Sequence, residues 1–220
     1  MPAAKEKKYQ GFDRGIDYLP IKQKLLDEFN KQYKIYSKGK NTKRASRSLI
    51  FLLIELIQLR NGSRITEAIN AFKLFAEKGI EQRVTVKICK SEAKKKVWKL
   101  NEEKNIKEKK EVTTKLRTRD IMFPKTWFND LDINELINKL KESHEELIND
   151  DKLKVTICKY MIHNFDCNTH SLRYAFINYM LYKEKRPMTD VAKFVGHKNI
   201  NQLVTYTQQK NCDQIFDLDI

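Results

Sequence analysis

Between Ala45 and Leu59 the chain reads as a helix that is apolar almost all the way round. A helix on the surface of a globule carries a single apolar stripe, so one without a polar face must be enclosed by other elements. The run from Ser48 to Leu59 contains Glu55 and falls well short of the roughly twenty residues needed to span a bilayer. It is therefore expected to be a central core helix, and the rest of the chain must supply its wrapping.

The wrapping is legible on both sides. From Ile21 to Tyr36, Leu25, Leu26, Phe29 and Tyr33 recur at helical spacing. Asn61-Gly62-Ser63 breaks the central helix, and a new one runs from about Arg64 to Glu77 with Ile65, Ala68, Ile69, Phe72 and Phe75 facing inward. Arg83 to Ile88 alternates and is β-branched, which predicts a strand. A basic turn, Lys90 to Lys96, leads to Val97-Trp98-Lys99-Leu100. Residues 101–111 are almost all charged or Asn and read as a mobile insertion. Val112 to Phe123 alternates again and is stopped by Pro124. Asp132 to Ile148 is an amphipathic helix through Ile133, Leu136, Ile137 and Leu140, and the chain is helical again from about Val155. Thr169 and Thr189 are expected N-caps for the last two helices. Residues 1–18 read as a basic, polar tail. The class is mainly α with one small antiparallel sheet.

Composition narrows the partner. The 220 residues hold 44 Lys and Arg against 29 Asp and Glu, a formal charge of +15. That surplus favours a polyanion, with nucleic acid ahead of a membrane surface. Cys89, Cys158, Cys167 and Cys212 form no CxxC pair, so they read as reduced thiols in an intracellular protein rather than as a disulfide framework or zinc site. No apolar leader and no Gly-rich nucleotide loop are present.

A small set of residues suits attack on a phosphodiester. Such attack adds negative charge to the non-bridging oxygens. Arginine answers it with a planar fork of charge-assisted hydrogen bonds, and preorganised donors of this kind are worth on the order of several kcal/mol. Arg64 and Arg173 are the candidates, each read as lying in the first turn of a helix, where backbone N–H groups also favour an anion. His170 is one turn from Arg173 and can exchange a proton near neutral pH. His197 follows the helix-ending Gly196 and can donate to a phosphate oxygen. Tyr206 can act as a nucleophile if a base or arginines lower its barrier to ionisation. His144 and His163 lack such partners, and Tyr160, Tyr174, Tyr179 and Tyr182 sit in apolar helical patterns that suit core packing.

These residues carry a resemblance. His170-Ser171-Leu172-Arg173, then Val195-Gly196-His197, then Tyr206 nine residues beyond that His, resembles the closing motifs of the tyrosine recombinase (phage integrase) family. Gly62-Ser63-Arg64-Ile65-Thr66-Glu67 is similar to its first arginine box. The match covers about residues 45–210. It implies the tyrosine recombinase catalytic-domain fold, mainly α with a small three-stranded antiparallel sheet, in residues 45–220. Residues 1–44 would then be a basic N-terminal tail and helix, the remnant of a clamping domain or the linker to one removed by truncation. The resemblance also implies that Tyr206 attacks the scissile phosphate to give a 3′-phosphotyrosyl link and a free 5′ hydroxyl. Arg64, Arg173 and His197 would stabilise the transition state, His170 would move the proton at the tyrosine, and Glu67 would orient Arg64. Neither metal nor nucleotide cofactor is required.

A lysine that protonates the leaving oxygen is expected after the second strand. Lys90 is the first choice, in competition with Lys87, Lys94, Lys95 and Lys96, the last three also being candidate phosphate contacts. The implied partner is double-stranded DNA, held by a tetramer in synapsis, with a cytoplasmic, DNA-associated location. Ile215-Phe216 and Leu218 of the tail would dock on this subunit or a neighbour. The competing readings are DNA relaxation of the type IB topoisomerase kind, and a DNA-binding protein without chemistry.

Overall fold

The computed structural model describes residues 15–39, 42–89, 94–101, 106–113, 117–128, 131–197, 199–201 and 203, with side chains outside the strands between Lys94 and Thr113. Helices α1 (Tyr18–Ser37), α2 (Thr42–Asn61) and α3 (Ile65–Lys78) are followed by four strands, then by α4 (Ile133–Ser143), α5 (Glu145–Asn149), α6 (Leu153–Phe165), α7 (Thr169–Asn178), a π-turn (Tyr179–Lys183) and α8 (Met188–Phe194). No described helix is long and apolar enough to cross a membrane.

The central helix is as enclosed as its sequence demands. Every residue of α2 from Ser48 to Leu59 is buried. Helix α1 covers one side with Ile21, Leu25 and Phe29, and Phe29 packs edge-on against Phe128 at 4.9 Å. Each of those side chains contributes about 1.5–3 kcal/mol when fully buried, so α1 is part of the same core as α2. Its first residue, Tyr18, read above as the end of a tail, stacks on Tyr179 at 4.5 Å and ties α1 to the π-turn. Tyr174 is buried as expected, but Tyr182 is exposed on the outer side of that turn.

The strands depart from the three-stranded expectation. Among the described residues β1 (Val84–Lys87) pairs antiparallel with β4 (Thr118–Ile121), while β2 (Lys94–Asn101) pairs with β3 (Ile106–Thr113) as a separate hairpin. The charged stretch read as a mobile insertion therefore supplies most of a strand. The register sets Lys96 opposite Glu111 and Lys99 opposite Glu108. Residues 101–111 are almost all charged or Asn, so no apolar period announced the second strand.

Helix boundaries show three further corrections. The amphipathic stretch from Asp132 breaks at His144, whose Nε2 lies 2.6 Å from Ser46 Oγ at the joint between α4 and α5. Asn168, not Thr169, caps α7: its Oδ1 accepts from Ser171 N at 3.0 Å, and the Thr169 hydroxyl instead meets Cys158 Sγ at 3.5 Å. Helix α8 starts at Met188 behind Pro187, ahead of the expected Thr189 cap, because proline presets φ for a helix entry.

Candidate active site

Helix α2 ends against the site. Gly62 takes φ +54°, and a Cβ built there would stand 2.2 Å from the Phe176 ring of α7. Only glycine accommodates both the left-handed backbone and that close approach. The turn is gripped from two directions. Arg173 Nη1 donates to the Gly62 carbonyl, and Arg119 Nη2 donates to the neighbouring Asn61 carbonyl at 2.7 Å. Gln58 adds a third tie, its Nε2 donating to Ser63 O at 3.1 Å and Thr169 O at 2.8 Å, which fixes the start of α7 beside the start of α3.

Arg64 stands at the N-cap of α3 with its side chain 26 % exposed. Glu67, fully buried in the first turn, accepts from Arg64 N at 3.2 Å, from Arg64 Nη1 at 3.2 Å and from Cys89 N at 3.1 Å. The carboxylate thus fixes the entry to α3, aims the guanidinium and anchors the end of β1.

Arg173 is the fifth residue of α7, in its second turn, so it does not share the helix terminus that the sequence reading gave it. It is fully buried, and three protein acceptors offset the cost of its desolvation. Besides the Gly62 carbonyl, its Nη2 donates to Val195 O at 3.0 Å and meets His197 Nε2 at 2.9 Å. A guanidinium has no acceptor, so His197 must accept there and carry its proton on Nδ1. His197 is itself buried. It follows Gly196 at φ +76°, where a Cβ would stand 3.0 Å from Ile88 Cδ1, so the end of α8 rests against the end of β1.

His170, half-buried, completes the cluster. Burial first, then the positive charges of Arg173 and Arg64, hold its pKa down at about 4, and His197 and Lys154 add to the effect. His170 is therefore neutral at physiological pH, with a lone pair able to take a proton. Its ring stands edge-on to Tyr174 at 5.5 Å.

The structure thus brings together Arg64, Glu67, His170, Arg173 and His197, from three separate stretches of sequence. Tyr206 and Lys90 lie outside the described residues. Leu203, three residues before Tyr206, is buried among Phe176, Val191 and Val195, and Cys89, directly before Lys90, is bonded to Glu67. Lys87 is exposed on β1. Lys94, Lys95 and Lys96 open β2, paired with Thr113, Val112 and Glu111.

Sequence reasoning missed Arg119. It is 7 % exposed on β4, its Nη1 lies 3.5 Å from Glu67 Oε2, and its guanidinium sits 5.4 Å over the Phe194 ring. Burial lowers its pKa to about 10, Glu67 opposing the shift while Arg173 and Arg64 reinforce it. The signal in the sequence was an arginine at an inward-facing position of an alternating strand. Two clefts of about 830 and 920 Å³ flank the amino-terminal half of α2, but none of the site residues lines either.

Similarity to known proteins follows the whole chain. A Sputnik virophage protein named "Putative integrase V10" is 44 % identical over 216 residues, covering 96 % of this chain and 91 % of its own length. An uncharacterized protein of Methanocaldococcus jannaschii is 32 % identical over 233 residues, covering 99 % of this chain and 95 % of that protein. An Acidianus two-tailed virus protein named "Putative integrase ORF241" is 28 % identical over 211 residues, 96 % of this chain and 69 % of its own. No family model matches the chain, and no solved structure does.

Proposed function

The chain belongs to the integrase family of the virophage protein, and from that membership we propose that it is a site-specific DNA integrase of the tyrosine recombinase type. The observation that carries this reading is the convergence of Arg64, His170, Arg173 and His197 on one site through the contacts of Arg173 with the Gly62 carbonyl and His197. The names of two viral relatives agree with it and favour insertion of mobile DNA as the task.

In this mechanism the Tyr206 oxygen attacks the scissile phosphorus, forming a 3′-phosphotyrosyl bond as the bond to the 5′ oxygen breaks. Neutral His170 takes the phenolic proton, and Lys90 supplies a proton to the departing 5′ oxygen. Arg64, the more exposed guanidinium, contacts the non-bridging oxygens. Buried Arg173 holds His197 in its Nδ1–H tautomer and adds positive potential. The 5′ hydroxyl of a partner duplex then attacks the phosphotyrosyl bond and releases the tyrosine. One bond replaces another at each step, so no external energy source is needed. Residues 45–220 would form the catalytic domain, acting as a tetramer on synapsed DNA.

The test is covalent trapping on duplexes nicked beside candidate sites, so that the 5′ product diffuses away. A denaturation-resistant protein–DNA adduct, formed by the wild type and absent from Tyr206→Phe, is expected. Salt-sensitive binding without an adduct would replace this reading with a DNA-binding protein that does no chemistry. Sequence-independent relaxation of supercoiled plasmid would replace it with a topoisomerase.

A further inference from the structure

Glu67 presents a difficulty for the chemistry just described. Arg64 is the more exposed guanidinium of the site, yet it lies 3.2 Å from a buried carboxylate. In a low-dielectric setting that carboxylate offsets much of the positive potential Arg64 offers to a phosphate. The same pairing that aims Arg64 would spend its charge.

Arg119 stands on the other side of the same carboxylate, 3.5 Å from Glu67 Oε2. Its Nε and Nη1 make no hydrogen bond among the described residues, so its charge is not committed to a dense set of acceptors as that of Arg173 is. It reaches Glu67 from β4 while its Nη2 holds the Asn61 carbonyl at the end of α2. Its aliphatic stem also packs beneath the turn that presents His197, since a Cβ on Gly196 would stand 3.6 Å from Arg119 Cδ. The Asn61 side chain reinforces the arrangement: its Oδ1 accepts from Met122 N at 3.0 Å and its Nδ2 donates to Met122 O at 2.8 Å, pinning β4 to α2. Arg119 is thus fixed from α2, α3 and the end of α8 at once.

We propose that Arg119 is a positioning residue for DNA strand cleavage, a second cation that neutralises Glu67 so that Glu67 can aim Arg64 without cancelling it. Two guanidinium groups then face one carboxylate, with the charge of Arg173 close by, leaving a net positive site with a fixed geometry. The inference rests on the phosphotyrosyl reading above, and its test separates the two.

Adduct formation is timed at saturating DNA for wild type, Arg119→Gln, Arg119→Lys, Glu67→Gln and the Arg119→Gln/Glu67→Gln pair, with DNA affinity and thermal unfolding measured alongside. Arg119→Gln is expected to slow adduct formation by on the order of 10²-fold with affinity close to wild type, because the loss is in the rate step. Arg119→Lys, which keeps the charge, retains most of the rate. The pair is expected to react faster than Arg119→Gln alone, since removing the carboxylate relieves the cancellation that the first change exposed. A merely structural Arg119 predicts the opposite, a pair slower than either single variant, and that result overturns the proposal. So does an Arg119→Gln variant that folds and reacts at the wild-type rate. Should Arg119→Gln fail to fold, the comparison of Arg119→Lys and the pair with Glu67→Gln carries the same decision: a pair as fast as Glu67→Gln supports charge offset, and a slower one refutes it. No adduct from wild type overturns the phosphotyrosyl reading itself, whereas a wild-type adduct with the wrong variant order overturns only the role of Arg119.

Discussion

Arg173 Nη2 and His197 Nε2 meet at 2.9 Å inside the protein, and this contact decides which proton His197 keeps. The same guanidinium serves the Gly62 and Val195 carbonyls, so one side chain sets the α2–α3 turn, the end of α8 and the tautomer of a histidine. Lysine in its place has a point charge and no planar fork. Arg173→Lys is expected to lose about 1–3 kcal/mol of stability from buried groups left unpaired, and to lower adduct formation by at least about 10²-fold. Denaturant unfolding beside covalent trapping checks this, and wild-type behaviour in both would refute it.

Gly62→Ala probes the turn itself. The new methyl group would lie 2.2 Å from the Phe176 ring at a φ that disfavours any side chain. Overpacking and the left-handed backbone each cost on the order of 1–3 kcal/mol. The expected result is a clear drop in unfolding temperature together with loss of adduct formation, because Arg173 loses the position of its acceptor. An unchanged melting temperature would show that Phe176 moves aside freely.

His170 predicts a pH dependence. Its pKa of about 4 in the folded protein lies below the ordinary histidine value of 6.5, through burial first and the neighbouring cations second. Between those two values the unfolded chain binds a proton that the native protein refuses. Stability should therefore be complete above about pH 6.5 and decline as pH falls toward 4, levelling off below. His170→Asn removes that slope. Unfolding free energies across pH 4–7 for the two proteins provide the measurement, and parallel curves would count against a depressed pKa.

The candidate cluster was legible because it obeys local spacing. His170 and Arg173 lie three apart on one helix, and the glycines at 62 and 196 mark turns by their own chemistry. Helix α2 was legible because an all-round apolar helix has only one environment open to it. Arg119 was not, since one arginine in an alternating strand looks like any other until β4 pairs with β1 and turns it toward Glu67. The β2–β3 ribbon escaped for a related reason: its order comes from cross-strand pairing, which a single strand's composition does not display. Asn168 displaced Thr169 as the cap because both residue types qualify, and the hydrogen bond that decides between them depends on where Cys158 places the threonine hydroxyl.

Glu55 offers a test of the core independent of the chemistry. It lies in the middle of α2, fully buried, and neither carboxyl oxygen has a hydrogen-bond partner among the described residues. Burial raises its pKa well above the ordinary 4.5, so the native protein holds a proton that the unfolded chain releases. Its contribution then has a definite sign: stability is greatest below about pH 4.5 and falls as pH rises toward the elevated native value. Glu55→Met replaces the carboxyl with an unbranched apolar chain of similar size. It should stabilise the protein by about 1–3 kcal/mol at neutral pH, the cost of an unsatisfied buried polar group. The gain should shrink toward pH 4.5, where the unfolded carboxyl is also becoming protonated. Denaturant unfolding of both proteins at pH 5 and pH 8 decides the matter. A Met variant less stable than wild type at both would mean that the carboxyl is satisfied in solution, and an equal gain at both would mean that its pKa is not raised.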